Sequence, residues 1–386
     1  MNEFDPTAFL SDELLERIRE RAPIHDRENT FPQQDLDELR DAGYLSILVP
    51  EEQGGAGLGL EQAAILQQRL ATAAPATALA INMHLVWTGV ARVFSDRGVP
   101  GLEFVRSGAM AGEVFAFGIS EGGNDLVLFD SDTAAVPTGD GGYSFTGTKI
   151  FTSLAPVWTR LGLHGLDTTS PDAPKLVFAF VERTDAVETG EDWDTLGMRA
   201  TQSRTTRLRG AVADAAHVVR RIDPGPNPDP IVFGIFSVFE ILLASVYTGI
   251  ARRALDLAVQ TVQRRTSKKT GLAYSQDPDI RWRIADMALS YDALPPQIAA
   301  LARDVDEKAD NGARWFTMLS GVKHRAITMS KHVVDQAMLT AGGGSYFTSN
   351  ELSRLYRDVL AGAFHPSDPE SAHATAASAW LGPLES

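Results

Sequence analysis

The chain reads as mainly α with a central β domain, because its hydrophobic period changes twice along its 386 residues. Three observations carry that reading. Up to about residue 112, apolar residues recur at three- and four-residue spacings, as Leu14, Leu15 and Ile18 do and as Ala63, Ala64, Ile65 and Leu66 do. That is the period of a helix face. From Val114 to Ile222, short runs rich in Val, Phe, Thr and Tyr are cut by turn signals such as Thr138-Gly139-Asp140-Gly141-Gly142 and Ser170-Pro171-Asp172. Within that stretch, Y-S-F-T-G-T-K-I-F-T alternates as a strand does. From Ile231 onward long helical patterns return, with stops near Gly271 to Pro278 and at Gly342-Gly343-Gly344. The blocks predict a helical domain over 1–112, a β domain over 113–229 and a helical domain over 230–386 whose long helices suffice for a four-helix bundle.

The connections follow from local chemistry. V-P-E-E-Q-G-G-A-G-L-G-L, residues 49–60, is a glycine-rich turn before a new helix. Asp223-Pro224-Gly225-Pro226-Asn227-Pro228-Asp229-Pro230 reads as a stiff connector into the last domain. The apolar stretch from Ile231 to Ile250 is interrupted by Glu240 and small polar residues, so it predicts a buried helix and no membrane span.

Composition removes several function classes. A formal charge of -15 argues against gripping nucleic acid or an anionic membrane, although Arg264, Arg265, Lys268 and Lys269 make one basic cluster. With no cysteine, disulfides, thiol nucleophiles and cysteine-rich metal sites are excluded, and no metal site is expected. The start M-N-E-F-D-P-T-A-F-L lacks the basic-then-apolar pattern of a secretory signal. A cytoplasmic location is the expectation, consistent with a reducing compartment.

Five motifs in order then resemble one family. V-P-E-E-Q-G-G-A-G-L, A-T-A-L-A-I-N-M-H, L-G-M-R-A-T-Q-S-R-T-T-R-L (residues 196–208), G-I-A-R-R-A-L-D and L-Y-R-D are similar to segments of the acyl-CoA dehydrogenase superfamily. The resemblance implies an N-terminal helical domain, a central β-barrel and a C-terminal four-helix bundle. It also implies a flavin cofactor, FAD or FMN, in a cleft between barrel and bundle, and assembly as a homodimer or homotetramer.

On that resemblance, F-A-F-G-I-S-E-G-G-N-D (residues 115–125) stands where the family has a Thr-Glu-Pro-Gly type turn beside the flavin. Phe117 lies on its strand, and Ser120 or Gly118 takes the hydroxyl position. K-I-F-T-S (residues 149–153) resembles the family's Lys-x-Trp-Ile-Thr, with Phe151 for the stacking tryptophan, then Thr152, and Ser153 for the hydroxyl near the flavin N5. At the adenine end, Ser267 and Thr270 replace the arginine and phenylalanine of the family's Arg-x-x-Phe-Gly, while Gly342 and Gly343 match its glycine pair.

The catalytic base departs from the pattern. The glutamate position that follows L-Y-R-D holds Pro366, which cannot abstract a proton. Glu240 stands on the first helix of the last domain, one residue from the base position of a minority of the family. A lone carboxylate on an apolar helix stripe has a raised pKa, which suits a base, and it reads equally as a structural carboxylate paired at a subunit interface. His365 coincides with a histidine of the dibenzothiophene monooxygenase-type flavin monooxygenases, and with Ser153 and His84 would make the set such enzymes use. Taken alone, His84 reads as a satisfied core histidine.

Two enzymes and one non-enzyme follow. The first oxidises an acyl thioester, acyl-CoA or carrier-bound, at its α,β carbons with Glu240 as base, passing electrons to electron-transfer flavoprotein. The second is a two-component monooxygenase fed by a flavin reductase and acting on a small-molecule substrate through His365 and Ser153. The third is a flavin-poor, non-catalytic relative.

Overall fold

Two helices are apolar on every side over most of their length, and the rest of the chain packs around them. The computed structural model describes residues 4–382 and Leu384; the first three residues of the N-terminal stretch read above lie outside the described residues. Before the sheet come α1 (Asp12–Glu28), α2 (Gln33–Asp41), α3 (Leu60–Ala71), α4 (Pro75–Asp96) and α5 (Glu103–Met110). After it come α6 (Pro230–Arg264), α7 (Pro278–Asp292), α8 (Leu294–Asp306), α9 (Arg314–Ala341), α10 (Glu351–Leu360) and α11 (Pro369–Leu381). A helix with no polar face must be buried, and α4 and α6 are: α6 is almost fully buried from Ile231 to Ala251.

By length and composition α6 is also the one described helix able to cross a membrane. Its apolar surface is instead covered by α3, α4 and α9. Helices α6 to α9 pack against one another, with α10 and α11 laid on α9. One continuous apolar core joins these helices to the N-terminal ones and to the sheet.

The close approach of α6 to α3 needs a missing side chain. A Cβ built on Gly249 would lie 2.4 Å from the Gln68 carbonyl oxygen and 2.6 Å from the Ala71 methyl. The start of α3 is held by the other end of the bundle, since Asp306 accepts from the Leu60 and Glu61 amides at 2.8 and 3.1 Å. Those amides have no partner inside their own helix.

Between the helical parts lie β1 (Phe115–Gly118), β2 (Ala134–Pro137), β3 (Tyr143–Thr152), β4 (Arg160–Asp167), β5 (Lys175–Glu182), β6 (Val187–Thr189), β7 (Arg204–Ala213) and β8 (Val218–Ile222). Their order is β6-β7-β3-β2-β4-β5-β8, with β1 added in parallel on β4. The expected barrel is corrected here to an open sheet, because no ladder joins β6 to β8. Register shifts in β3 and β5 curl the sheet until β5 packs across it against β7, but its ends do not close. One end, β6, is three residues long. The other, β8, runs into a connector whose Pro224, Pro226 and Pro228 have no amide hydrogen to offer a ladder.

Gly249→Ala should lower the stability of the protein by about 2 kcal/mol, because the new methyl meets backbone that cannot move away without parting the helices. Intrinsic helix propensity alone predicts the opposite sign, a gain of about 1 kcal/mol. Chemical unfolding of the two proteins decides between them.

Candidate active site

A buried ion pair organises the wall of the site. Lys149 lies on the buried face of β3, in line with Tyr143 and Phe145, and donates to Glu121 Oε1 at 2.7 Å. The same carboxylate accepts from Asn124 Nδ2, Ser131 Oγ, the Asp132 amide, and both the amide and hydroxyl of Thr133. Burial pushes the Glu121 carboxyl up, but the ammonium and these donors outweigh it and hold it well below the usual carboxylate range. His164 completes the cluster: Nδ1 accepts from Lys149 at 3.1 Å, and Nε2 donates to the Val127 carbonyl at 2.7 Å.

Just past Lys149 the ladder with β7 breaks register, and Phe151 takes a left-handed φ of +56°. The bulge turns Phe151 outward, 53% exposed, with its ring edge-on to Trp193 at 6.1 Å. The Ile150 amide meanwhile donates to the Ser120 carbonyl at 2.9 Å. Phe151, Ser120 and Ser153 thereby reach one mostly apolar cleft of about 290 Å³. Leu79 and Met83 of α4, Phe239 of α6, and Phe364, His365 and Pro366 after α10 line it as well.

The loop across from β3 is pressed onto α10. A Cβ on Gly197 would lie 2.2 Å from the Arg357 carbonyl oxygen, and the Met198 amide donates to Asp358 at 2.6 Å. Arg357, which also lines the cleft, is occupied by Asp26 and the Leu196 carbonyl. Of eight non-glycine residues with positive φ among the described residues, five border this region: Phe151, Leu154, Met198, Gln202 and Ser367. Each costs on the order of 1 kcal/mol, and such residues gather at functional sites.

Three hydroxyls run into the wall in series. Ser153 Oγ lies 2.7 Å from Ser203 Oγ, which lies 2.7 Å from Thr201 Oγ1, which donates to the Met198 carbonyl at 2.8 Å. Each hydroxyl has one hydrogen. With Thr201 giving its own to Met198, Ser203 donates to Thr201 and Ser153 donates to Ser203. Ser153 is left with lone pairs for a ligand.

His365 stands across the cleft in a clamped segment. Its Nε2 is 2.8 Å from the Tyr247 hydroxyl, and the buried ammonium of Lys323 donates to the carbonyls of His365 and Ser367 at 3.0 and 2.8 Å. Burial, then the charge of Lys323, lowers the His365 pKa to about 3, so the ring is neutral. Glu240 does not line this cleft. It faces an adjoining cavity of about 170 Å³, whose wall of Phe117, Phe239 and Pro366 is shared between the two. Phe117 and Phe239 stack in that wall at 5.4 Å. Burial pushes the Glu240 carboxyl up, with Lys323 opposing, and its Oε2 has no hydrogen-bond partner.

The remaining sequence-named positions fall elsewhere. His84 is fully buried, with Nε2 donating to the Leu45 carbonyl at 2.8 Å and Nδ1 accepting from the Phe115 amide at 3.2 Å. Gly118 abuts Leu161, and Thr152 is buried with an unpartnered hydroxyl; neither lines the cleft. Ser267 and Thr270 sit in the turn after α6, where Ser267 Oγ accepts from the Thr270 amide. Gly342 caps α9, and Gly343 begins the next turn. Arg265 ties these two helix ends together by donating to the Ala341 carbonyl at 2.6 Å, away from the cleft. Trp193, Ser203, Thr201 and Lys323 were not singled out from sequence. Ser203 and Thr201 lie inside the quoted 196–208 motif, and Tyr247 shares the helical face of Glu240, but nothing in the spacing pairs it with residue 365.

Fold and cleft define the class: a curled sheet set between helical layers, with a neutral, aromatic-walled cleft of a kind suited to a planar cofactor and a small organic substrate. Residues 7–95 match the family described as Acyl-CoA dehydrogenase, N-terminal domain, and residues 241–367 match Acyl-CoA dehydrogenase, C-terminal domain. The chain belongs to the acyl-CoA dehydrogenase superfamily. It is 28% identical to amino sugar nitrososynthase DnmZ of Streptomyces peucetius, over 92% of this chain and 88% of that protein. It is 25% identical to dibenzothiophene monooxygenase of Rhodococcus qingshengii, over 95% and 90% of the two chains. Among solved structures, KijD3 in complex with FMN and dTDP-3-amino-2,3,6-trideoxy-4-keto-3-methyl-D-glucose superposes with a TM-score of 0.84 at 27% identity, covering 97% of this chain and 92% of that one.

The geometry of His84 predicts a stability phenotype. Burial lowers its pKa from 6.5 to about 4, so between those values the unfolded chain takes up a proton that the folded one refuses. Stability therefore falls as the pH drops through that window, by about 3 kcal/mol in all from this residue. In His84→Gln, unfolding at a series of pH values should show lower stability at pH 7 and a shallower acid limb between pH 6.5 and 4. Unchanged stability together with lost ligand binding would instead put His84 in the site.

Proposed function

We propose that this chain is a flavin-dependent monooxygenase that receives reduced flavin from a separate reductase and oxidises a nitrogen or sulfur atom of a small organic substrate. The observation that supports it best is the division made by the wall of Phe117, Phe239 and Pro366. His365 and Ser153 lie on the cleft side, and Glu240 lies behind it. α-Proton abstraction needs a carboxylate over the substrate carbon. On the cleft side the family's usual base position holds Pro366.

The lining suits an isoalloxazine. Phe117, Phe151, Trp193 and Phe239 offer apolar and aromatic surface, Ser120 and Ser153 offer hydroxyls, and the one cation, Arg357, is already paired. Past Arg357 the cleft runs into a groove of about 680 Å³ carrying Arg19, Arg27, Arg199 and Arg354. Asp26 and Glu351 share that lining and each guanidinium is paired with a carboxylate, so a phosphate of FMN or FAD, or of the substrate, has to displace those partners to be held there. Reduced flavin bound here supplies the two electrons that activate dioxygen. The protein's part is to exclude water with its aromatic wall, to present the lone pairs of Ser153, and to present a neutral imidazole at His365. A cleft without net charge favours an uncharged substrate nitrogen or a thioether over a carboxylate. That agrees in kind with relatives named for an amino sugar and for dibenzothiophene.

A second reading, acyl-thioester oxidation with Glu240 as base, draws on the raised pKa of that buried carboxyl. It requires the Phe117–Phe239 wall to open between the two cavities.

Anaerobic titration followed by thermal unfolding should show reduced FMN or FAD raising the melting temperature more than the oxidised form. Oxygen uptake and product from a panel of amines and thioethers should require a flavin reductase. His365→Ala should lower product per reduced flavin about 100-fold, with Glu240→Gln within about twofold of the parent. Bleaching of bound flavin by an acyl-CoA, lost in Glu240→Gln and kept in His365→Ala, would replace this function with the dehydrogenase.

A further inference from the structure

The hydrogen bond between Tyr247 and His365 joins the middle of α6 to the segment after α10, 118 residues away. Tyr247 is fully buried, and its hydroxyl has one hydrogen-bond partner among the described residues, His365 Nε2 at 2.8 Å. Burial, reinforced by Asp358, pushes the phenol far above its ordinary pKa, so the hydroxyl always carries its hydrogen. The direction of the bond is then decided by what is left over. If the imidazole donated to the phenol oxygen, the Tyr247 hydrogen would be buried with nothing to accept it. A buried unpaired donor costs about 1–3 kcal/mol. If Tyr247 donates, only spare lone pairs go unused, which costs far less.

We propose that Tyr247 is the positioning residue for His365: by donating to Nε2 it fixes the neutral tautomer protonated at Nδ1, so that His365 meets a ligand in the cleft as a hydrogen-bond donor. The other ring nitrogen is free for this role. Nδ1 has no protein partner, yet it is not among the sealed, unsatisfied polar atoms of the described residues, and His365 lines the cleft.

The ring is also held at its backbone. Lys323 grips the carbonyls on both sides of Pro366, Ser367 takes a left-handed φ of +52°, and a Cβ on Gly362 would come within 3.0 Å of the Tyr247 ring. The segment can neither swing away nor rotate the imidazole without breaking the Tyr247 bond. Across the cleft, Ser153 is left as an acceptor by its own hydroxyl chain. These two cleft-lining groups therefore have opposite and fixed hydrogen-bonding sense. A ligand spanning them must bring an acceptor to His365 and a donor to Ser153, as an oxygen atom beside an N–H does. This rests on the monooxygenase reading only in calling the ligand a reacting one; the tautomer follows from the protein alone.

The test is nitrogen-15 NMR of the histidine-labelled full chain, with the His365 signals assigned by their loss in His365→Gln. The expected spectrum has His365 neutral at pH 7, with Nδ1 at a protonated shift and Nε2 at an unprotonated one. In Tyr247→Phe, which keeps the ring and removes only the hydroxyl, the two shifts should move toward each other as the tautomers mix. The same variant should lose about tenfold in kcat with KM and flavin affinity nearly unchanged, the scale of removing a group that orients a ligating histidine. A parent protein already protonated at Nε2, or shifts that do not move in Tyr247→Phe, would overturn the proposal. The parent spectrum decides the tautomer even if Tyr247→Phe does not fold. Should His365→Ala retain full oxygenase activity while the tautomer is as expected, the functional reading falls and the positioning stands.

Discussion

The site depends on one buried ion pair. Lys149 is wholly buried and the Glu121 side chain is 2% exposed, a placement that costs several kcal/mol per ion before anything offsets it. On the carboxylate the offset prevails, since six donors converge on it; Lys149 also reaches Ser131 and His164, although burial still pushes its ammonium down to about 8. The pair binds the loop after β1 to the strand that carries Phe151 and Ser153. Without it, the segment from Glu121 to Thr133 has little regular hydrogen bonding of its own, and Ser120 is not brought level with the bulge. The strain at Phe151 persists because a fixed Lys149 on one side and the Ser153–Ser203 contact on the other leave the intervening residues nowhere else to go.

The second constraint is α6. Its burial makes it the axis on which α3, α4 and α9 all lean, and a rigid axis can hold side chains to close tolerance. Three of its residues are used at the site end: Phe239 in the dividing wall, Glu240 behind it, and Tyr247 under His365. One heptad separates Glu240 from Tyr247, so both lie on the same side of the helix as the segment after α10. Lys323 of α9 closes the arrangement by binding that segment's carbonyls. Burial against this core helix penalises charge, lowering the pKa of His365 in the cleft and raising those of Tyr247 and Glu240 behind it.

The departures from the family's usual residues are consistent with one another. Pro366 removes a carboxylate from the cleft, His365 supplies an uncharged polar group beside it, and a hydroxyl chain ending at Ser153 faces it across aromatic surface. Charge is excluded on every side except at Arg357, where the cleft gives way to the arginine-lined groove.

Periodicity alone determined the order helix, sheet, helix and most of its punctuation. The strand pattern from Tyr143 to Thr152 is β3, the stop before Pro278 is where α7 begins, and the glycine run at 342 is where α9 ends. These are local properties, written in the spacing of apolar residues and in the backbone preferences of Gly and Pro, so a linear reading recovers them. Ser120, Phe151 and Ser153 were named from the resemblance of their strands to the family's motifs and not from periodicity, and all three line one cleft. The resemblance implied a closed barrel where the structure has an open sheet, and what the sequence left undecided was a question of which side: whether Glu240 or His365 faces the cleft, whether His84 serves ligand or core. Those answers depend on contacts between residues tens to hundreds of positions apart, such as Lys149 with Glu121, His84 with Leu45 and Phe115, and Tyr247 with His365. Neither partner of such a pair carries a mark of the other in its own neighbourhood; only packing around the shared core brings them within hydrogen-bonding distance.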